Sequence, residues 1–353
     1  MIRNRIDRIA VLLTAVLACA AAASAGAEGQ AVKADDFPQV TIANGMATLT
    51  LYLPAGEKGY YVGSRFEPSG VVARAEAKGH TFFGPWQKRD PRSHDHIMGT
   101  AEEFSMYDPP GFREVEAGGV FYKIGVGELV KSEKPTRDKE TGEVKPAEFG
   151  FWLGHKIARR GPWKVTHGKD WAQFVQEFTG QRGWGWRYTK RLSLTKGAAS
   201  FEISRRLENT GTKAIDTTHY CHHFTIIDDT PVGPDYVIGL PFEAQAKEIK
   251  GDAATVAGRQ IIFQKPLTAG RTVWMELAGL TGTPRDNAVV IENRKTGASL
   301  RITGDRPLVM FRFWAAPKAA CPEPFVAVTV APGAAMTWSN TYTFEVGAAP
   351  KTK

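Results

Sequence analysis

The stretch SFEISRRLENTGTKAIDTTHYCHHF, residues 200–224, decides how this chain is read. It opens as a strand, turns at Asn209-Thr210-Gly211 and continues as a second strand. The second strand packs three histidines and a cysteine into five positions, in a chain with only 8 histidines among 353 residues. Side chains on a strand alternate between faces. His219, Cys221 and His223 therefore share one face, and Tyr220, His222 and Phe224 the other. Tetrahedral zinc needs three or four N or S ligands converging on one point. Alternation splits the cluster, and no second Cys/His pair lies at finger-like spacing. A metal site built from His219 and His223 stays open.

The same strand signals run outward in both directions. QVTIANGMATLTLYLP alternates around an Asn-Gly turn, as a hairpin does. GVFYKIGVGELVK, KVTHGKDWAQFVQEF, AVVIENRKTGASLRITG and VAVTVAPGAAMTWSNTYTFEV repeat the pattern between Gly, Asn, Asp or Lys-Gly turns. No long segment has helical periodicity and no fixed-period repeat appears. About fifteen or more strands predict an all-β chain, two large antiparallel sheets packed face to face. The polar segment 131–148 reads as a surface loop, and 347–353 as a frayed tail.

The N-terminus carries Arg3, Arg5 and Arg8, then an apolar run from Ile9 to about Ala22, then small residues. This is the pattern of a secretory signal peptide over residues 1–27. It predicts an exported protein, periplasmic or secreted, with a single domain over 28–346 and no stable membrane insertion. Cys19 sits in VLACA, a loose lipoprotein-box pattern. Cys221 and Cys321 are either one bridge in an oxidising compartment or two buried small hydrophobes. The formal charge is +8 and the sequence pI near 9.3. Lys and Arg form no long run and no nucleic-acid motif, which argues against DNA or RNA. A mildly basic surface suits acidic glycans or an anionic envelope.

Other groups able to carry chemistry are Glu323 between two prolines in AACPEPFVAVTV, Arg65 and Phe66 before a Gly turn, and His94, His96, Glu102 and Glu103 in SHDHIMGTAEEF. As isolated features each reads as an exposed polar loop, the two glutamates solvated. Trp184 and Trp186 in GWGWRYTKR share a face and suit the flat apolar side of a pyranose, or the core.

Taken together the chain resembles the galactose mutarotase (aldose 1-epimerase) superfamily from about residue 45 to 346. The resemblance rests on LENTGTKAIDTTHYCHHF, on CPEPFVAVTVAPGAAMTWSNTYTF and on Arg65 in GSRFEPSG. It implies a β-supersandwich, with His222 and Glu323 as the catalytic pair and no metal or organic cofactor. Ring opening of a hemiacetal needs a base for the anomeric hydroxyl and an acid for the ring oxygen. The resemblance implies Glu323 as base and His222 as acid, on opposite sides of a mono- or oligosaccharide. It also implies that Arg65 and His96 (or His94) hold hydroxyls. The family's His-Gly-Gly loop is absent. Its substrate-orienting Asp has no clear match, and Asp235 in GPDY is a candidate by proximity alone. A polysaccharide lyase or glycoside-processing enzyme on the same scaffold, and a glycan-binding protein without turnover, are the rival readings.

Overall fold

The computed structural model describes residues 36–347 apart from 91–92, 133–135, 138–143, 146–148 and 152–153. The leader and Cys19 lie outside the described residues, as does the tail beyond Gly347. Among the described residues are 25 strands and three single-turn 3₁₀ segments, and every strand pairing is antiparallel. No helix there is long and apolar enough to cross a membrane.

Two sheets dominate. One has ten strands, in the spatial order Trp163–His167, Trp171–Thr179, Gly185–Leu194, Ser200–Asn209, Ala335–Val346, Ala298–Gly304, Ala288–Asn293, Tyr236–Gly239, Gln260–Phe263, Ala254–Ala257. The other has six: Gln245–Lys250, Val273–Ala278, Leu308–Ala316, Ala319–Val330, Ile215–His223, Thr100–Phe104. Their facing sides share one apolar core, with Phe201, Ile203 and Leu207 from the first and Phe311, Phe313, Val326 and Val328 from the second. The expected sandwich is therefore present, with more strands than the sequence pattern resolves.

The stretch 200–224 is where the chain passes from one sheet to the other. Asn209 ends a strand of the ten-stranded sheet, and Ile215 begins one of the six-stranded sheet. The Asn209 side chain accepts from the Gly211 N–H (3.0 Å) and donates to the Lys213 and Val330 carbonyls (both 2.8 Å). A Cβ at Gly211 would lie 2.3 Å from the Gly183 carbonyl oxygen, so only glycine fits this turn.

The smaller sheets flank this sandwich. Gln39–Ala43 and Ala47–Tyr52 form the expected Asn-Gly hairpin and continue into Val71–Ala77 and His80–Phe83. Val120–Lys123, Gly127–Val130 and Ile157–Arg160 make a three-stranded sheet. In 131–148, read as loop, Thr136–Arg137 pairs with Val144–Lys145. Lys131 at its start is buried, with Nζ donating to the Phe112 and Val115 carbonyls.

Candidate functional site

Strand alternation sorts the histidine cluster as the sequence predicts. His219, Cys221 and His223 face the interior between the two large sheets. Tyr220, His222 and Phe224 face the other side. His219 Nε2 lies 3.2 Å from Glu102 and its Nδ1 accepts from Trp338 Nε1 (3.2 Å). His223 spans the Pro322 carbonyl (2.9 Å) and the Tyr342 hydroxyl (3.0 Å). Every ring nitrogen on the interior face is thus engaged by protein, which removes the metal site considered for His219 and His223. The two cysteines are buried and free, on opposite faces of the sheet, so the bridge does not form.

Burial lowers the pKa of His219, and likewise of His223, to about 4, despite a hydrogen bond to each that works the other way. Both are neutral inside the fold, while an unfolded histidine titrates near 6.5. The unfolded chain therefore binds more protons below that pH, and stability falls as pH falls. For His219 alone the loss between pH 7 and pH 5 should be about 2 kcal/mol. Urea midpoints taken across that range test this, and a flat profile would refute it.

The opposite face of the six-stranded sheet carries the candidate site. The alternate positions facing that way are Ala101 and Glu103; Tyr220, His222 and Phe224; Cys321, Glu323 and Phe325; and Arg312 and Trp314. Register places His222 opposite Glu323. Tyr220 pairs with Phe325, and a bridge joins Thr225 to Ala320 through two N–H···O bonds of 3.0 Å. Between them Pro322 and Pro324 have no N–H to donate. The ladder therefore opens there, and the His223 imidazole bonds the Pro322 carbonyl instead. His222 and Glu323 fall at a non-hydrogen-bonded pair, the position where facing side chains come closest. As an isolated feature of the sequence, Glu323 reads as an exposed loop residue. It lies inside the 12-residue strand Ala319–Val330 and is 3% exposed.

His222 Nδ1 is 3.3 Å from Glu323 Oε1. That is ion-pair distance, but it is off the line of a hydrogen bond, and Nδ1 has no hydrogen-bond partner. The other ring nitrogen, Nε2, lies 2.9 Å from the Tyr220 hydroxyl. Tyr220 itself donates to Glu103 Oε2 in a very short bond. With that proton committed, Nε2–H is the donor to the Tyr220 oxygen, and Nδ1 keeps its lone pair. Burial, then Arg65, holds the His222 pKa well below 6.5. Burial raises Glu323 to about 7, against the opposing pull of Arg312 and Arg65.

Arg65 lies beside this pair, and its donors are spent on protein. Nε reaches Glu103 (3.0 Å), Nη1 reaches Asp95 (2.5 Å), and Nη2 reaches the Tyr220 hydroxyl (3.1 Å), with His222 Nε2 at 3.4 Å. Glu103 is fully buried, not solvated. Burial pushes its carboxyl up, but Lys123 (Nζ at 2.5 Å) and Arg65 outweigh that and hold it below its ordinary value. Aromatic rings enclose the pair: Phe66 edge-on to His222, Phe224 stacked on it, and the half-buried Trp86 and Trp314 beyond.

Several expected binding residues are elsewhere. Trp186 is 1% exposed, stacked on Phe178, with Nε1 donating to Gln176; it is core. Trp184 is half-buried beside Glu114 and Lys213. Asp235 is exposed in a turn that leads into the ten-stranded sheet, not the sheet bearing His222. His96 Nδ1 accepts from the Asp90 N–H within its own loop. His94, the second choice, is nearer: it lies next to Asp95 and lines an open cleft of about 560 Å³ with His155, Arg160 and Val62–Ser64. Neither His222 nor Glu323 lines that cleft.

Solved structures share this architecture. A putative aldose 1-epimerase from Escherichia coli K12 covers 88% of this chain and 99% of its own, at 16% identity and a TM-score of 0.50. The Slr1438 protein from Synechocystis sp. PCC 6803 covers 92% and 100%, at 11% identity and 0.54. A galactose mutarotase related enzyme from Lactobacillus acidophilus covers 89% and 100%, at 12% identity and 0.53. This chain has the galactose mutarotase-type fold. No family model and no curated protein matches it in sequence. Within the mutarotase-type fold, the residues that complete the His222–Glu323 site are Tyr220, Glu103, Asp95, Cys321 and Trp314. Of these, Glu103 stands among the sequence candidates, read there as solvated, and Cys321 was read only as a possible bridge or a buried small hydrophobe.

Proposed function

We propose that this is an exported carbohydrate-active protein that performs acid–base chemistry at the anomeric carbon of an aldose, in the manner of an aldose 1-epimerase. The observation that carries the reading is the convergence of His222 and Glu323 from facing strands onto one point. Their environments push the two groups toward a shared proton, held on Glu323 below about pH 7 with His222 neutral. His222 Nδ1 then takes the proton of the anomeric hydroxyl and the C1–O5 bond breaks as the C1 carbonyl forms. Glu323 protonates the ring oxygen. The aldehyde rotates, and closure runs the same steps in reverse. This inverts the starting roles that the resemblance implied. It also sets the sugar beside the pair, because 3.3 Å leaves no room for a ring between them.

Polarimetry or NMR of freshly dissolved α-glucose and α-galactose tests the reading. Equilibration faster than the buffer rate supports it, and the buffer rate for both rules out simple aldose epimerisation. Trp314, half-buried beside Cys321 in the strand register, is placed to stack on the sugar's apolar face. Trp314→Ala should raise KM roughly 3–10-fold with kcat little changed, on a loss of about 1 kcal/mol of aromatic contact. An unchanged KM would remove Trp314 from the site. The close contact and burial of the pair favour one second reading, glycan binding without turnover, which sugar titration without mutarotation would support.

A further inference from the structure

We propose that His222, Cys321 and Glu323 form a three-ligand site for a zinc(II) ion. One donor atom from each lies within 4.8 Å of the other two, and all three residues are buried. Ligands about 2.0–2.3 Å from a tetrahedral zinc sit roughly 3.3–3.7 Å apart, so the 3.3 Å between His222 Nδ1 and Glu323 Oε1 already matches. A separation too small for a sugar ring is the right one for a cation.

The second observation is the orphaned Nδ1. His222 is 8% exposed and this nitrogen has no hydrogen-bond partner, which is costly for a buried polar atom. Nδ1 keeps its lone pair because Nε2–H is committed to Tyr220, and Tyr220 in turn to Glu103. A ligating histidine characteristically donates its other N–H in this way to an oxygen acceptor that fixes its tautomer. The charge also closes: a thiolate and a carboxylate neutralise a dication. The neighbouring cations are occupied elsewhere, Arg65 by Glu103 and Asp95, and Arg312 by Glu276 (Nη2–Oε2 2.9 Å). Sulfur, imidazole and carboxylate together suit zinc over magnesium or calcium, and three protein ligands leave the fourth position open. Zinc would occupy the atoms that exchange the proton. Its consequence for activity, inhibition, rests on the proposed mutarotation, but the binding does not.

The test uses full-length reduced protein stripped with EDTA and dialysed. Equilibrium dialysis against zinc chloride should give about one equivalent bound at micromolar zinc. Titration with cobalt(II) should show a thiolate-to-cobalt charge-transfer band. Cys321→Ser should abolish that band and weaken zinc at least 10-fold. Tyr220→Phe, which removes the oxygen that orients His222, should weaken zinc about 10-fold with the band retained. Cys221→Ser, on the other face, should change neither. Absence of stoichiometric zinc in the unmutated protein overturns the proposal, and that measurement needs no variant to fold. So does a cobalt band that survives Cys321→Ser or vanishes with Cys221→Ser. If mutarotation is found, saturating zinc should stop it and EDTA restore it; activity that persists at saturation places the metal elsewhere. Zinc bound with no mutarotation in metal-free protein leaves this inference standing and refutes only the epimerase reading.

Discussion

Glu102→Ala should lower stability by about 3–5 kcal/mol, the cost of breaking a buried ion pair and leaving the partner charge uncompensated. Glu102 reaches into the interior from the six-stranded sheet and is fully buried. Arg205 of the ten-stranded sheet grips it with two bonds, Nε–Oε2 2.8 Å and Nη2–Oε1 2.7 Å. Lys190 lies 3.3 Å from the same carboxylate and 2.9 Å from Glu67. The four charges balance across the sandwich, and His219 and Asn340 fill the remaining donor and acceptor sites. Burial raises the Glu102 pKa, but Arg205 and Lys190 outweigh it and hold the group ionised well below the usual carboxylate range. Without Glu102, two buried cations face Glu67 alone. The exposed pair Arg74–Glu76 is the contrast, since Glu76→Ala there should cost about 0–1 kcal/mol. Urea unfolding followed by circular dichroism compares the two. A Glu102→Ala loss below about 1 kcal/mol would mean that the network does not join the sheets.

That network explains where the sequence was readable and where it was not. The sandwich was legible because burial of one face imposes period-two alternation, visible in SFEISRRLEN and TTHYCHH. The buried charges were written in the same alternation. Lys190 follows Trp186 and Tyr188 and precedes Leu192 at inward positions, and Arg205 sits between Ile203 and Leu207. A cation in an inward apolar series calls for a buried anion, and TAEEF supplies one to each face of its strand, Glu102 inward and Glu103 toward His222. Read as an isolated loop, those glutamates looked solvated. The separation of His222 and Glu323 was equally hidden, because it follows from register. Register depends on which strand pairs with which, and only the two prolines in CPEP marked where that ladder would open. The misplaced tryptophan follows from the same limit. Alternation puts Trp186 on a face but does not say that a second sheet covers it.

Glu323→Gln should lower mutarotation by about 10²–10⁴-fold, the usual contribution of a positioned acid–base group. The amide keeps the shape of the carboxyl but neither gives nor takes a proton at neutral pH. Sugar affinity, read from the fluorescence of Trp314 and Trp86, should hold within about 10-fold, since hydroxyl and ring contacts remain. Tyr220→Phe discriminates the role of the supporting groups. It removes the acceptor for His222 Nε2–H, and Arg65 Nη2 at 3.4 Å then becomes the nearest polar atom. Arg65 can only donate, so the imidazole is driven to the Nδ1–H tautomer and loses the lone pair that the mechanism uses as base. A kcat drop with KM unchanged is the expected signature, with Tyr220 acting through His222 and not on the sugar. If Glu323→Gln retains full activity, the proton passes through another group. If Glu323→Gln is inactive but Tyr220→Phe is fully active, His222 does not depend on its tautomer, and the base is to be sought on Glu323 itself, as the resemblance first implied.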